Sequence, residues 1–304
     1  MNRILVTGAT GFIGSPCVQQ LAAAGFEVHA AALGADARTD GTVTYHDVDL
    51  LDSGRIHDLI ATVRPTHLLH LAWYVVPGAY WTSPENIRWV TAGLDLAREF
   101  ADAGGLRAVF VGTCAEYEPS VEPLVEGVTP LRPSTLYGAS KTALHVAAMA
   151  YLTQRDVSCA WAHLFYLFGP AEYPSRLVPS VITALHEGEP FECGRPDDML
   201  DFLHVDDVAG ALAALVASPI TGDVNIASGQ PVSVGELCGR IAATIGRPEL
   251  ITYREGNEDR SVVTAATSRL FDEVGWRPTL SLDAGIDATI EWWKIHREPK
   301  GGTL

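Results

Sequence analysis

Two residues of this 304-residue chain have the types and spacing to move a proton: Tyr137 and Lys141, in the run Tyr137-Gly138-Ala139-Ser140-Lys141. The stretch Tyr137–Gln154 repeats apolar residues every three or four positions, so it reads as a helix. That places the two side chains one turn apart on one face. A phenol ionises near pH 10 and is a poor proton carrier at neutrality. A neighbouring ammonium stabilises the phenolate and makes the tyrosine a usable acid or base. The pattern also arises by chance in helices, so its weight depends on its company.

Its company is a glycine loop. Ile4–Val6 reads as a buried strand, and Thr7-Gly8-Ala9-Thr10-Gly11-Phe12-Ile13-Gly14 leads from it into a helical run ending near Ala24. Gly8, Gly11 and Gly14 suit a tight strand-to-helix turn in which Phe12 and Ile13 also lie. Such a turn brings backbone N–H groups and the helix N-terminus against a pyrophosphate. The strand before and the helix after are the context this motif requires. A dinucleotide is therefore expected.

Short apolar runs alternate with helical stretches through the first two-thirds. Glu27–Ala32, Leu68–Leu71, Ala108–Val111 and Cys159–Phe165 read as further strands, and Pro84–Ala103 as a helix. From about Gly169 proline and glycine become frequent. Helices return at Asp206–Ala217, with Asp206 as the expected N-cap, and near Val234–Ile245 and Leu282–Trp293; Val224–Ala227 reads as one more strand. The expected class is α/β: a Rossmann-type, doubly wound parallel sheet with a smaller C-terminal substrate lobe. The expected division is 1–168 plus 203–229 for the dinucleotide, and 169–202 plus 230–304 for the substrate.

A composition of 47% hydrophobic and 19% charged residues excludes a disordered chain. The net charge of −16 opposes nucleic-acid binding, which needs clustered Lys and Arg. Five scattered cysteines without metal-like spacing fit reduced thiols, and no apolar run is long enough for a membrane span. The expectation is a cytoplasmic protein with no membrane contact and no metal.

The glycine loop and Tyr137/Lys141 together resemble the extended short-chain dehydrogenase/reductase family of nucleotide-sugar epimerases, dehydratases and ketoreductases. The resemblance runs in order through TGATGFIG at 7–14, DLLD at 49–52, HLA at 70–72, YGASK at 137–141, FGP at 168–170, DFLHVDDVA at 201–209 and GWRP at 275–278. It implies that Asp49 and Leu50 flank the adenine, and that Leu71, Ala72, Trp73 and Phe165 line the way to the nicotinamide. It implies Thr113, four before Tyr117, as the hydroxyl partner of Tyr137, and Lys141 as a hold on the cofactor ribose. It also implies a homodimer built on Pro84–Ala103 and Tyr137–Gln154.

Departures from the family pattern narrow the expected reaction. After Thr113 the dehydratases carry Asp and Glu, where this chain has Cys114 and Ala115; Ala115 and Arg176 stand where a fucose synthase has its Cys and His. Simple hydride transfer remains. The acid that grips the ribose in NAD-preferring relatives is Ala32, while Arg38 could meet a 2′-phosphate, so NADP(H) is preferred and NAD(H) possible. The family's diphosphate arginine reads Leu200, and its asparagine before the Tyr-Gly-Pro turn reads Tyr166. Candidate substrate contacts are Asn86, Tyr166, Arg176, Arg195 and Arg260, with the aromatic segment Trp73–Trp81 available for stacking. The expected function is reduction of a keto group on a nucleotide-linked deoxysugar. The alternatives are a 4-epimerase with tightly bound NAD, a ketoreductase of a small non-nucleotide molecule, and a dinucleotide-binding sensor without turnover.

Overall fold

A computed structural model describes residues 2–36, 38–255 and 260–296; the end of the expected substrate lobe, 297–304, lies outside them. The strands are β1 (Arg3–Thr7), β2 (Glu27–Ala32), β3 (Thr39–Asp40), β4 (Val43–Asp47), β5 (His67–His70), β6 (Arg107–Thr113) and β7 (Ser158–Leu164). They continue with β8 (Tyr166–Phe168), β9 (Phe191–Cys193), β10 (Met199–Leu200), β11 (Phe202–His204) and β12 (Gly222–Ile226). The helices are α1 (Gly14–Ala23), α2 (Ser53–Val63), α3 (Glu85–Asp102), α4 (Leu136–Gln154), α5 (Leu177–Glu187), α6 (Val205–Ala217), α7 (Val234–Ile245) and α8 (Leu282–Ile295).

The main sheet runs β12-β7-β6-β5-β1-β2-β4-β3. Every pairing is parallel except β3 with β4. It is doubly wound, as the alternation of strands and helices predicts, because successive side chains of each strand point to opposite faces and both faces are apolar. Ile4, Val6, Val109 and Ala160 pack under α1 and α6, whereas Leu5, Leu68, Phe110 and Trp161 pack under α2, α3 and α4. A separate apolar cluster joins α5, α7 and α8 to Phe168, Leu200 and Phe202. α3 and α4 cross closely at Gly93, where a Cβ would come within 2.6 Å of Leu144.

Several elements have no counterpart in the sequence reading, among them α2, α5, β3 and β8 to β11, and two details bear on the argument. The strand β4 has no counterpart there, since Val43–Asp47 is short and four of its five residues are only half-buried. Asp206 does not cap α6; the cap is His204, whose Nδ1 accepts from the Asp206 N–H at 3.3 Å. The acid that matters there is Asp207, buried and accepting from Thr279 N, Thr279 Oγ1 and Leu280 N, which ties the GWRP segment to α6. Asp201 makes a similar knot, accepting from Ser228 N and Oγ and from Gly229 N. Both carboxylates are oriented by several donors, which is how buried charges are tolerated.

Among the described residues no helix is long and apolar enough to cross a membrane. All five cysteines are free.

Candidate active site

The carboxyl ends of β1, β5, β6 and β7 open into one cleft of about 1650 Å³. That exceeds the roughly 300–1,000 Å³ of an ordinary single-ligand pocket and fits two ligands end to end. Parallel sheets put their binding crevice at this edge, where the strand order reverses.

At one end the glycine loop forms the floor. Gly8 has φ +68°, and a Cβ on it would meet the Ala72 nitrogen at 2.9 Å. A Cβ on Gly14 would meet the Gly8 carbonyl oxygen at 2.1 Å. Only glycine permits this closeness, which leaves the backbone bare toward the cleft. Gly8, Gly11, Phe12, Ile13 and Gly14 line it, with Asp49, Leu50, Leu71, Ala72, Trp73 and Phe165 along the walls. The shape and the exposed N–H groups suit a dinucleotide, so the residues present fit the cofactor implied by the family resemblance.

Tyr137, Lys141 and Thr113 line the same cleft. Thr135 caps α4 by accepting from Gly138 N at 3.1 Å, which fixes where the helix starts and so where Tyr137 points. The Tyr137 N–H donates to the Trp81 carbonyl at 3.2 Å. Its ring is boxed edge-on by Tyr80 at 4.9 Å and Trp81 at 5.7 Å. Burial raises the phenol above its ordinary value, Tyr80 and Glu116 add to the rise, and a hydrogen bond with the Thr113 hydroxyl lowers it. Lys141 donates to the Val111 carbonyl at 2.8 Å and sits 3.9 Å over the Trp73 ring. Burial pulls its ammonium down to about 7, with Glu116 opposing. Burial thus brings Lys141 within reach of neutral pH and holds the Tyr137 phenol in its protonated form.

Other assignments fare differently. Tyr166, Arg176 and Arg260 line the cleft, Arg176 standing 5.2 Å from the Tyr80 ring. Asn86 does not face it: fully buried, it accepts from Trp73 Nε1 at 2.9 Å and donates to the carbonyls of Tyr80 and Ser83. It is the staple that holds the aromatic segment over Tyr137. Arg195 also stays off the cleft wall, bound through Nε to Asp198 at 2.5 Å and through Nη2 to the same carboxylate. Arg38 turns onto the Tyr45 ring, 4.6 Å away, with Asp36 at 3.8 Å, and does not reach the cleft. In each of these three a nearer partner claims the polar group.

One wall residue escapes the sequence reading. Glu172 is 9% exposed with an unpartnered Oε2, and burial pushes its carboxyl up to about 8 against the pull of Arg176. A single glutamate in a loop gives no sequence signal for this.

Residues 4–227 match the NAD dependent epimerase/dehydratase family. A UDP-glucose 4-epimerase of Streptomyces lividans is 28% identical over 99% of this chain and 98% of its own. The structure of MoeE5 in complex with UDP-glucuronic acid and NAD superposes with a TM-score of 0.84 at 30% identity, covering 97% of this chain and 99% of that one. The UDP-glucose 4-epimerase of Thermus thermophilus, in complex with NAD, gives 0.84 at 25% identity, covering 97% and 100%. The glycine floor and the Tyr137–Lys141 pair thus belong to an enzyme of the NAD-dependent epimerase/dehydratase family, within the extended short-chain dehydrogenases/reductases.

Proposed function

We propose that this enzyme inverts a carbinol centre of a nucleotide-linked sugar, as a 4-epimerase that keeps NAD in place. The observation that carries the reading is that Tyr137, Thr113 and Lys141 all line one cleft with room for a dinucleotide and a second nucleotide-sized ligand. Bound NAD supplies a hydride acceptor that can return the hydride to the opposite face. Tyr137 takes the proton from the sugar hydroxyl and gives it back, Thr113 holds the same oxygen, and Lys141 favours the phenolate and orients the ribose. Arg176 and the Glu172 carboxyl contact the sugar or its diphosphate, and Tyr166 and Arg260 close the far wall.

NAD is favoured over NADP because Arg38, the cation that the sequence offers for a 2′-phosphate, is engaged with Tyr45 and Asp36. Water elimination is disfavoured: Cys114 is a neutral thiol pushed up to about 12 by burial, and Ala115 has no acid or base. A second reading, net reduction of a keto sugar by exchangeable NADH, draws on Ala32 and Leu33. These line the cleft where a ribose-gripping acid would stand, and so leave the cofactor less firmly held.

The test is to incubate the purified protein with UDP-glucose and UDP-glucuronic acid and separate the products by anion-exchange chromatography. A C4 epimer with no net change in NADH absorbance supports the epimerase. Consumption of added NADH with a 4-keto sugar nucleotide supports the reductase. Silence in both refutes nucleotide-sugar redox chemistry. The same reading includes a homodimer through α3 and α4, on which Ile87 and Val146 are 56% and 62% exposed; light scattering showing a monomer removes that part.

A further inference from the structure

Behind Thr113, on the side away from the cleft, lies a buried cluster that the reaction as described does not use: Glu116, His145, His163 and Asp223. The first three are 0%, 7% and 0% exposed, and they come from the turn after β6, from α4 and from β7. Asp223, on the edge strand β12, is the one member that reaches toward solvent.

The cluster grips both peptide groups of Thr113. Glu116 Oε1 accepts from the Thr113 N–H at 2.8 Å, and His163 Nδ1 lies 3.4 Å from the Thr113 carbonyl, as its donor. Glu116 is held in turn by the Trp161 indole N–H at 3.1 Å. Gly112 makes room for this: a Cβ there would lie 2.0 Å from Trp161 Nε1 and 2.2 Å from Glu116 Oε1. Carboxyl and imidazole side chains alternate around a ring. Glu116 Oε1 is 3.5 Å from His163 Nδ1, His163 Nε2 is 3.9 Å from Asp223, Asp223 Oδ1 is 2.7 Å from His145 Nε2, and His145 Nδ1 is 3.7 Å from Glu116 Oε2. Burial opposes an imidazolium at His163, but the carboxylates of Glu116 and Asp223 outweigh it and raise the group to about 9. Asp223 is held well below the usual carboxylate range: burial opposes this, and the hydrogen bonds from His145 and His163 prevail. Among the described residues Lys141, Tyr137, Cys114, Tyr117 and Glu126 also face this ring, and the Arg269 guanidinium donates to the Asp223 carbonyl at its rim. A carboxyl as buried as that of Glu116 is costly unless polar partners stand this close.

We propose that Glu116 and His163 are positioning residues of the reaction, clamping the main chain on both sides of Thr113 so that its hydroxyl stays against Tyr137, with His145 and Asp223 closing the ring behind them. The inference rests on the reading of Thr113 and Tyr137 as the reacting pair. It adds that their register is set from below the sheet rather than by the cleft.

The test uses the NAD-saturated full chain and needs no substrate. Phenolate absorbance is titrated with pH, and the Tyr137→Phe protein is subtracted. Thr113→Ala raises the Tyr137 midpoint by about one pH unit, the worth of one hydrogen bond to a charged group. His163→Gln, whose amide reaches the Nε2 position and abandons Nδ1, raises it comparably. His163→Asn, whose amide replaces Nδ1, restores most of the wild-type midpoint. In a Thr113→Ala background His163→Gln moves the midpoint little further.

Three results overturn the proposal: Asn and Gln behaving alike, an undiminished effect of His163→Gln without Thr113, or one equivalent of a divalent metal surviving dialysis. The last would make His145, His163 and Asp223 ligands. Where sugar turnover is measurable, His163→Gln lowers kcat about tenfold with KM within about twofold, the split expected when only the transition-state geometry suffers. A wild-type protein silent on every sugar nucleotide counts against the proposed function and leaves the titration to decide the clamp.

Discussion

Replacing Lys141 by methionine should make the cofactor-free protein more stable, and by an amount that depends on pH. Lys141 is 3% exposed, and its ammonium is lowered from 10.5 to about 7, chiefly by burial. Between those values the unfolded chain binds a proton that the folded chain does not, so stability is lost as pH falls from 10.5 toward 7. At about 1.4 kcal/mol per pKa unit, the burden is roughly 4 kcal/mol near pH 7 and roughly 2 kcal/mol near pH 9. Methionine fills the same space without the charge, at the cost of about 1–2 kcal/mol for the Val111 carbonyl left without its donor. The net gain is about 2–3 kcal/mol near pH 7 and close to zero near pH 9, and the difference of about 2 kcal/mol does not depend on the carbonyl correction. His163 works the other way, contributing stability that is lost as pH rises through its value of about 9, but it is common to both proteins and cancels in the comparison. Urea denaturation of both proteins at the two pH values measures this. A variant less stable than wild type near pH 7, or an equal difference at both pH values, refutes the assignment of Lys141 as a buried, destabilised ammonium.

Three further outcomes follow from distances already given. Gly14→Ala brings a Cβ against the Gly8 carbonyl and the Ala9 backbone, none of which can retreat, so NAD binding measured by titration calorimetry is lost while α2–α4 remain helical by circular dichroism. Asn86→Ala removes the acceptor of Trp73 and two donors in a buried site, costing about 2–4 kcal/mol in denaturation midpoints and loosening the aromatic segment, read as increased Trp fluorescence quenching. Arg38→Ala leaves the affinities for NAD and NADP each within about twofold, because the guanidinium faces Tyr45; a selective loss of NADP affinity would restore the 2′-phosphate role.

The parts of the site legible in the sequence are those whose geometry is local. Gly8, Gly11 and Gly14 lie within one turn, and Tyr137 and Lys141 are one helical period apart, so strand, loop and helix patterns suffice to place them. Thr113 depends on the family resemblance, since a strand-end threonine has no periodic signal. Glu116, His163 and Asp223 are invisible because they converge from the turn after β6, from β7 and from β12, and His145 because its helical register shows only that it follows Lys141. Polar residues chosen by type alone fare worst. Asn86, Arg38 and Arg195 are each claimed by a neighbour within reach, and nothing in a linear pattern distinguishes a free arginine from one already paired with an aspartate three residues on. Among the strands, the main-sheet core is clear from its apolar runs, while β4 is hidden because its residues are only half-buried.

The account stands on Tyr137 as the proton carrier beside a bound dinucleotide, and one comparison tests that most directly. NAD-loaded wild type and Tyr137→Phe are mixed with the sugar nucleotide that the wild type turns over, and single-turnover rates are measured together with the NAD content of each protein. The account predicts equal NAD content and a rate lower by about 10²–10⁴ in the phenylalanine variant. Equal NAD content with a rate within about tenfold of wild type would contradict it.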